Sequence, residues 1–112
     1  KKKKSIEIWG NGKSKRELLY VDDLADACVY FMNKPSPSLV NIGTGKDKTI
    51  LQYAKFLQRQ INYSTPIKLD LSKPNGTKRK VLDVSLAKKL GWTFKTNLKQ
   101  GTEKTIKSLI SK

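Results

Sequence analysis

The sequence has no histidine and only one cysteine, so it lacks the side chains of several common catalytic and metal sites. Without histidine there is no Ser-His-Asp or Cys-His arrangement, no histidine-bearing zinc site and no imidazole that titrates near neutral pH. A single cysteine cannot form an internal disulfide, so nothing points to an oxidising compartment. No apolar run reaches the roughly 18 residues of a membrane span. We therefore expect no bound metal, no disulfide and no contact with a membrane.

The N-terminal segment also lacks the features of a targeting signal. The residues Lys1-Lys2-Lys3-Lys4-Ser5 lead into Ile6-Glu7-Ile8 and not into a long apolar region, which excludes a secretory signal peptide. We therefore expect a cytoplasmic protein. Because the chain starts without Met, we also expect it to be part of a longer protein. We divide it into a disordered basic N-terminus, residues 1–4, and one domain, residues 5–112.

Acidic residues are scarce, and 9 Asp and Glu against 24 Lys and Arg give a formal net charge of +15. Such a balance is typical of proteins that bind nucleic acid or another polyanion. However, nearly all of the basic residues are Lys, whereas base recognition and stacking usually rely on Arg. The lysines are also scattered along the chain. We therefore favour solvated surface lysines over a nucleic-acid interface and keep the polyanion-binding module as an alternative.

The apolar pattern switches between strand-like and helix-like segments, which predicts a small α/β protein. We expect a small mixed sheet with about four helices. The pattern predicts strands at 6–9, 17–21, 39–42 and 66–69, helices at 23–33, 50–61, 83–90 and 98–110, and a polar loop at 70–80.

The helices allow more specific predictions. Asp22 or Asp23 should cap the first helix, and Thr49 should cap the second. Cys28 lies on the apolar stripe of the first helix, so we expect a buried, unreactive thiol. The inward-facing residues of these stripes should include Leu24, Ala27, Phe31 and Met32 in the first helix and Ile106, Leu109 and Ile110 in the last.

Two glycine-rich turns fall short of a phosphate-binding motif. Gly10-Asn11-Gly12 lacks the third glycine of a dinucleotide fingerprint, because position 15 is Lys, and Gly43-Thr44-Gly45 fails in the same way at Lys48. Asp22 and Asp23 could pass for a catalytic acid pair, but acidic residues at the start of a helix are explained by capping and by the positive end of the helix dipole. We therefore expect no catalytic and no cofactor-binding residue in this chain.

Three segments carry a resemblance to a known family. Trp9-Gly10-Asn11-Gly12-Lys13-Ser14-Lys15-Arg16-Glu17-Leu18, running on to Tyr20-Val21-Asp22-Asp23-Leu24-Ala25, resembles the W-G-x-G-x-x-x-R-E-F-x-x-V-D-D-x-A segment of extended short-chain dehydrogenase/reductases. Val40-Asn41-Ile42-Gly43-Thr44-Gly45 is similar to their late strand and the following turn. Residues 72–85, SKPNGTKRKVLDVS, with Leu90-Gly91-Trp92, resemble the S-K-P-D-G-T-P-R-K-L-L-D-V-S…L-G-W run of the GDP-L-fucose synthase family. The resemblance covers nearly all of this chain but only the C-terminal third or so of those enzymes.

The resemblance implies a two-domain, homodimeric parent enzyme. In this family an N-terminal Rossmann domain holds NADPH, and a smaller C-terminal domain closes over the sugar nucleotide. The family epimerises GDP-4-keto-6-deoxy-D-mannose at C3 and C5 and then reduces C4, which gives GDP-L-fucose. Its Ser-Tyr-Lys triad, its proton-transferring Cys and His and its cofactor loop lie in the N-terminal part. The resemblance thus implies that this chain is the C-terminal substrate-binding part of such an enzyme, without the Rossmann domain, and that it binds the GDP-sugar and is inactive alone.

The resemblance implies four substrate-binding residues, namely Trp9, Arg16, Asn75 and Lys80. Arg16 has the planar fork suited to a diphosphate, although it could instead pair with Glu17 or Asp22. Trp9 can cover a sugar or base face, or could pack in the core at a strand end.

The polar loop supplies the other two of these residues. Lys80, with Arg79 beside it, can offer cations to GDP, or could belong to a solvated basic loop. Asn75 replaces the usual Asp of the family and loses its charge, while Lys78 replaces Pro and leaves the loop freer. An alternative function remains open for the whole chain: it could be the C-terminal domain of another nucleoside-diphosphate-sugar epimerase or dehydratase.

Overall fold

The structure, a computed structural model, describes residues 5–34 and 39–111. Within these ranges the strands and helices, in chain order, are β1 (Ile6–Trp9), β2 (Lys15–Arg16), α1 (Val21–Met32), β3 (Lys48–Thr49), α2 (Ile50–Ile61), β4 (Ile67–Asp70), β5 (Arg79–Lys80), α3 (Ser85–Lys89) and α4 (Leu98–Ile110). The predicted α/β class with four helices is confirmed. The strands form two small sheets and not the single sheet that we expected. The predicted disordered segment 1–4 lies outside the described residues.

The chain divides into two compact units. Of the described residues, the first unit contains 5–16 and 47–80, and the second contains 17–34, 39–46 and 81–111. The first unit therefore holds both sheets and α2, whereas the second holds α1, α3 and α4.

The first unit is organised by parallel and antiparallel strand pairs. β1 pairs in parallel with β4, with Ile8 opposite Leu69, and Ile8 is buried. In the other sheet, β2 is central: it pairs antiparallel with β3 and in parallel with β5. Parallel neighbours need a long connection, and the 60-odd residues between β2 and β5 supply it. This sheet joins segments that are far apart in the sequence.

Helix α2 begins directly after β3, at the predicted cap Thr49, which is confirmed. The Thr49 side chain accepts a hydrogen bond from the Gln52 amide, and the Gln52 side chain accepts one from the Thr49 amide, a reciprocal capping box. The amides of Ile50 and Leu51 donate to the carbonyls of Ser14 and Gly12. These bonds satisfy amides that a helix start leaves without partners, and they hold the turn after β1 against the start of α2.

The second unit has a small core between its helices. Ala27 of α1, Ala87 of α3 and Trp92 are buried together, and partly buried side chains pack around them: Tyr30, Phe31, Val40, Ile42 and Phe94. Trp92 donates its indole N–H to Asp26, so its one polar atom is satisfied inside the core.

Two predicted strands are wrong. The strand expected at 17–21 is displaced to Lys15–Arg16, and Val21 already begins α1. Residues 39–42 form no strand in the described part of the chain, because no other strand pairs with them. Leu39 is 76% exposed, while Val40 and Ile42 pack on the core of the second unit. The expected loop at 70–80 is shorter, because β4 and β5 take its ends.

The predicted cap of the first helix and parts of the predicted inward helix faces are also wrong. Tyr20 is the residue that precedes α1, and no side chain caps this helix. Cys28 is exposed and not buried. Leu24 and Met32 in α1 are 46% and 77% exposed, and Leu109 and Ile110 in α4 are exposed as well. The predicted burial of Ala27 is confirmed, and the second buried residue of α1 is Asp23, which the predicted apolar stripe did not include.

Candidate functional site

All four sequence-predicted site residues lie in the first unit. Trp9 ends β1, Arg16 ends β2, Lys80 ends β5, and Asn75 lies in the loop 71–78 between β4 and β5.

Trp9 presents its ring to solvent. Its side chain alternates with the buried Ile8 along β1, and Trp9 is 60% exposed. The Lys73 ammonium lies 5.1 Å from the centre of the ring, within the range of a cation–π contact. The alternative that Trp9 packs in the core is therefore wrong, and its ring remains available to a flat ligand group.

Asn75 fixes the loop 71–78 to the turn that follows β1. Its Oδ1 accepts a 2.8 Å hydrogen bond from the amide of Asn11. Its carbonyl accepts a 2.9 Å hydrogen bond from the hydroxyl of the buried Ser14. Gly10 has a φ of +81°, and a methyl group built on it would overlap Oδ1 of Asn75. Gly10 is thus needed both for its backbone conformation and for the close approach of the loop.

A cavity opens where this loop meets the turn. Its volume is about 370 Å³, and it is lined by Asn11, Lys13, Ser14, Asn75, Gly76 and Lys78. Asn75 is the one predicted site residue in this lining. Lys13 and Lys78 contribute two cations to the lining, and Asn11 and Asn75 contribute two amide side chains. The cavity therefore favours an anionic or hydrogen-bonding group.

Arg16 and Lys80 come together although they lie 64 positions apart in the sequence. They are register partners in the parallel pair of β2 and β5. One terminal nitrogen of Arg16, Nη1, donates to the carbonyls of Lys15 and Thr77 at 2.7 and 2.6 Å. These bonds hold the guanidinium beside the loop that carries Asn75. No carboxylate of the described residues lies within 4 Å of Arg16, so the alternative pairing with Glu17 or Asp22 is not found.

Arg79 has a different role from its neighbour Lys80. Its Nε donates to Asp47 at 2.7 Å, and this hydrogen bond raises the pKa of the Arg79 guanidinium and lowers the pKa of the Asp47 carboxyl. Because Asp47 neutralises it, Arg79 is less suited to a phosphate than Lys80.

The sequence interpretation missed the role of Glu17, which organises the second unit. Its carboxylate accepts hydrogen bonds from the amides of Thr44, Gly45 and Leu82 at 2.9, 3.0 and 2.7 Å. The turn Gly43-Thr44-Gly45 therefore uses its amides to bind a carboxylate of its own chain. The signal was present in the sequence as the Glu that follows Arg16 in the family pattern.

The two glycine turns do not fit the pyrophosphate of a dinucleotide cofactor. In one turn, Thr44 and Gly45 commit their amides to Glu17. In the other, the Gly10 amide donates to the Asp70 carbonyl, and the Asn11 amide donates to Asn75. A phosphate cradle needs free amides in such a turn.

Residues 5–34 and 39–111 contain no cluster of His, Cys, Asp and Glu that could hold a metal ion. None of the helices in these ranges combines the length and the apolarity needed to cross a bilayer.

Comparison with known proteins relates the chain to enzymes that act on nucleotide sugars. The model of the NAD dependent epimerase/dehydratase family matches residues 1–43. GDP-L-fucose synthase 1 of Arabidopsis thaliana is 41% identical over 101 residues, which cover 89% of this chain and 31% of that protein. GDP-L-colitose synthase of Yersinia pseudotuberculosis is 39% identical over 105 residues, 92% of this chain and 34% of that protein. The chain thus spans about a third of the length of these relatives.

The fold is shared with solved enzymes of the same kind. A GDP-6-OMe-4-keto-L-xylo-heptose reductase from C. jejuni superposes with a TM-score of 0.87 at 33% sequence identity. The match covers 96% of this chain and 34% of the reductase.

Proposed function

We propose that this chain is the C-terminal portion of an NADPH-dependent epimerase/reductase and binds its GDP-sugar substrate. The proposal is supported by the similarity of the chain to GDP-L-fucose synthases and by its match to the NAD dependent epimerase/dehydratase family. The nicotinamide cofactor supplies the hydride for such a reduction. The proton-transferring residues and the cofactor site belong, in this proposal, to a Rossmann domain outside these 112 residues. We therefore expect no turnover from this chain alone.

The observation that carries the proposal is the pairing of Arg16 with Lys80 across β2 and β5. A diphosphate carries about two negative charges and binds best to charge-assisted donors. Arg16 offers its remaining N–H groups and Lys80 an exposed ammonium on neighbouring strands. Both come from separate motifs that the resemblance had assigned to substrate binding, and the fold brings these motifs side by side.

Trp9 and Asn75 complete the proposed site. The exposed ring of Trp9 can cover the base or the sugar, and Lys73 would yield its place over the ring to such a ligand. Asn75 keeps one accepting oxygen in the position of the family's Asp, but that oxygen already binds the Asn11 amide. We infer that Asn75 shapes the loop and offers its side-chain N–H₂ to the ligand.

A titration of the ¹⁵N-labelled chain with GDP, followed by NMR, tests the proposal. We expect GDP to shift the Trp9 indole and the amides of Arg16 and Lys80, and Arg16→Gln to weaken binding about tenfold because a charge-assisted contact is lost. Lys55→Gln, on α2, is the matched control that removes one positive charge elsewhere.

A random DNA duplex is the second ligand in this test. If the duplex shifts many lysine amides while GDP leaves Trp9, Arg16 and Lys80 unchanged, the chain is a polyanion-binding module and the proposal is wrong. If neither ligand binds, the proposal is also wrong. NADPH-dependent turnover by the 112 residues would contradict the expectation that they are inactive alone.

A further inference from the structure

A row of three cations crosses the sheet of the first unit. The strand order is β3-β2-β5, and Arg16 in the central strand is the register partner of Lys48 on one side and of Lys80 on the other. The resemblance singled out Arg16 and Lys80, whereas Lys48 had no assigned role.

The register places these three residues on the same face of the sheet. Side chains alternate along each strand, and directly opposite residues share a face. The residues on the other face agree with this arrangement, because Lys15 is the register partner of both Thr49 and Arg79. Arg79 binds Asp47, which lies two residues before Thr49 and therefore on the same side of the strand. Lys15 contributes to the lowered pKa of Asp47, as expected from a common face.

The two faces differ in how their charge is balanced. On the Asp47 face, Asp47 lies beside the cations Arg79 and Lys15 and offsets part of their charge. On the other face, no carboxylate of the described residues lies within 4 Å of Lys48, Arg16 or Lys80. Like charges directly opposite each other destabilise a sheet. A bound anion would remove this repulsion, which gives the row a reason to exist.

Charge and spacing suit an anion with more than one phosphate. Neighbouring strands lie about 4.8 Å apart, so Lys48 and Lys80 each lie one strand away from Arg16. The backbones of these two lysines are therefore about 10 Å apart. The first amides of α2 are already bound to Ser14, Gly12 and Thr49, so they are not free to hold the anion. The positive end of the helix dipole adds only a favourable field beside Lys48.

We propose that Lys48 is a third diphosphate-binding residue, which completes a cation row with Arg16 and Lys80. This inference rests on the proposed function for the identity of the ligand, but the row itself predicts affinity for any diphosphate. Lys48 then acts on the phosphates alone and not on the base or the sugar.

Inorganic pyrophosphate and GDP are the two probes of this proposal, with the whole chain and its variants followed by NMR at low salt. Lys48→Gln should weaken the binding of both probes about fivefold, the size expected for one partly exposed charge pair. Lys15→Gln is the matched control, because it removes the same charge from a neighbouring strand but from the opposite face; its affinity for both probes should stay within twofold of wild type. Molar salt should abolish the difference.

The outcomes separate this inference from the proposed function. If Lys48→Gln binds pyrophosphate as well as the wild type, or if Lys15→Gln weakens binding equally, the row is not a specific site and the inference is wrong. Failure of the wild type to bind pyrophosphate overturns it as well. If pyrophosphate binds through Lys48 but GDP binds no more tightly than pyrophosphate, the row stands and the proposed GDP-sugar site fails.

Discussion

Replacing Gly10 by Ala should destabilise the first unit far more than the same change at Gly76. Both glycines have positive φ, +81° and +73°, so the backbone cost of an alanine is nearly the same and amounts to about 1 kcal/mol. The surroundings differ. A methyl group on Gly10 would overlap Oδ1 of Asn75 and lie 3.0 Å from its Cα, whereas one on Gly76 would meet only the movable end of Arg16 at 3.3 Å.

The collision at Gly10 gives the expected magnitude. To relieve it, the backbone at Asn75 must move, which strains the hydrogen bonds from Asn11 and Ser14 at about 1 kcal/mol each. We therefore expect Gly10→Ala to cost about 3 kcal/mol and Gly76→Ala about 1 kcal/mol. Urea unfolding followed by far-UV circular dichroism measures both free energies of unfolding, and hydrogen exchange at the Asn11 amide reports the local change.

A double-mutant cycle shows whether Asn75 is the residue responsible. Asn75→Ala removes the overlapping oxygen, so its combination with Gly10→Ala should cost less than the sum of the two single changes. If the two glycine variants lose the same stability, or if the double mutant is strictly additive, the close approach of the loop to Gly10 does not matter and the reasoning is refuted.

Three further predictions concern carboxylates of the second unit. Asp23→Ala leaves the amides of Lys95 and Thr96 without an acceptor and should cost about 3 kcal/mol in urea unfolding, while Asp23→Asn should cost less because one oxygen remains. Glu17→Ala should speed amide exchange in the 44–45 turn, whereas Glu17→Gln should preserve much of the protection; equal exchange in both variants would contradict this role. Hydrogen bonds from Lys95 and the Trp92 indole lower the pKa of Asp26 below its ordinary value of 3.8. Folding therefore favours the ionised form of Asp26, so the stability that this carboxylate contributes is present above pH 3.8 and is lost as the pH falls below that value. In Asp26→Asn the free energy of unfolding should fall less steeply with acid, and an unchanged dependence of stability on pH would contradict this role.

Helices were predictable because their signals are local. The Thr49 cap and the bounds of α4, Leu98–Ile110, follow from residues within a few positions of each other, and the structure matches them. The short strands were harder to predict. A two-residue strand such as β2 has no periodicity of its own and exists only through its partners β3 and β5. The segment 39–42 shows the converse, because its apolar residues read as a strand but find no strand to pair with among the described residues.

The sequence motifs proposed residues for the candidate site but not their arrangement. The family motif predicted Trp9, Arg16, Asn75 and Lys80 as substrate-binding residues, which stays a prediction, and Trp9 is exposed. The motif did not reveal that Asn75 holds the loop in place, or that Arg79 is engaged by Asp47. Both depend on contacts between residues more than 30 positions apart.

The sequence by itself determined the α/β class, the four helices, the absence of histidine chemistry and the relationship to GDP-sugar enzymes. These follow from composition, local periodicity and short motifs, which need no knowledge of distant contacts. The tertiary structure alone decided that Lys48, Arg16 and Lys80 form one row. Strand register brings residues 16, 48 and 80 together, and register is set by pairing between distant segments of the chain. In the sequence the lysines behind the net charge of +15 appear scattered. In the structure, one face of the β3-β2-β5 sheet carries three cations that have no acidic partner among the described residues.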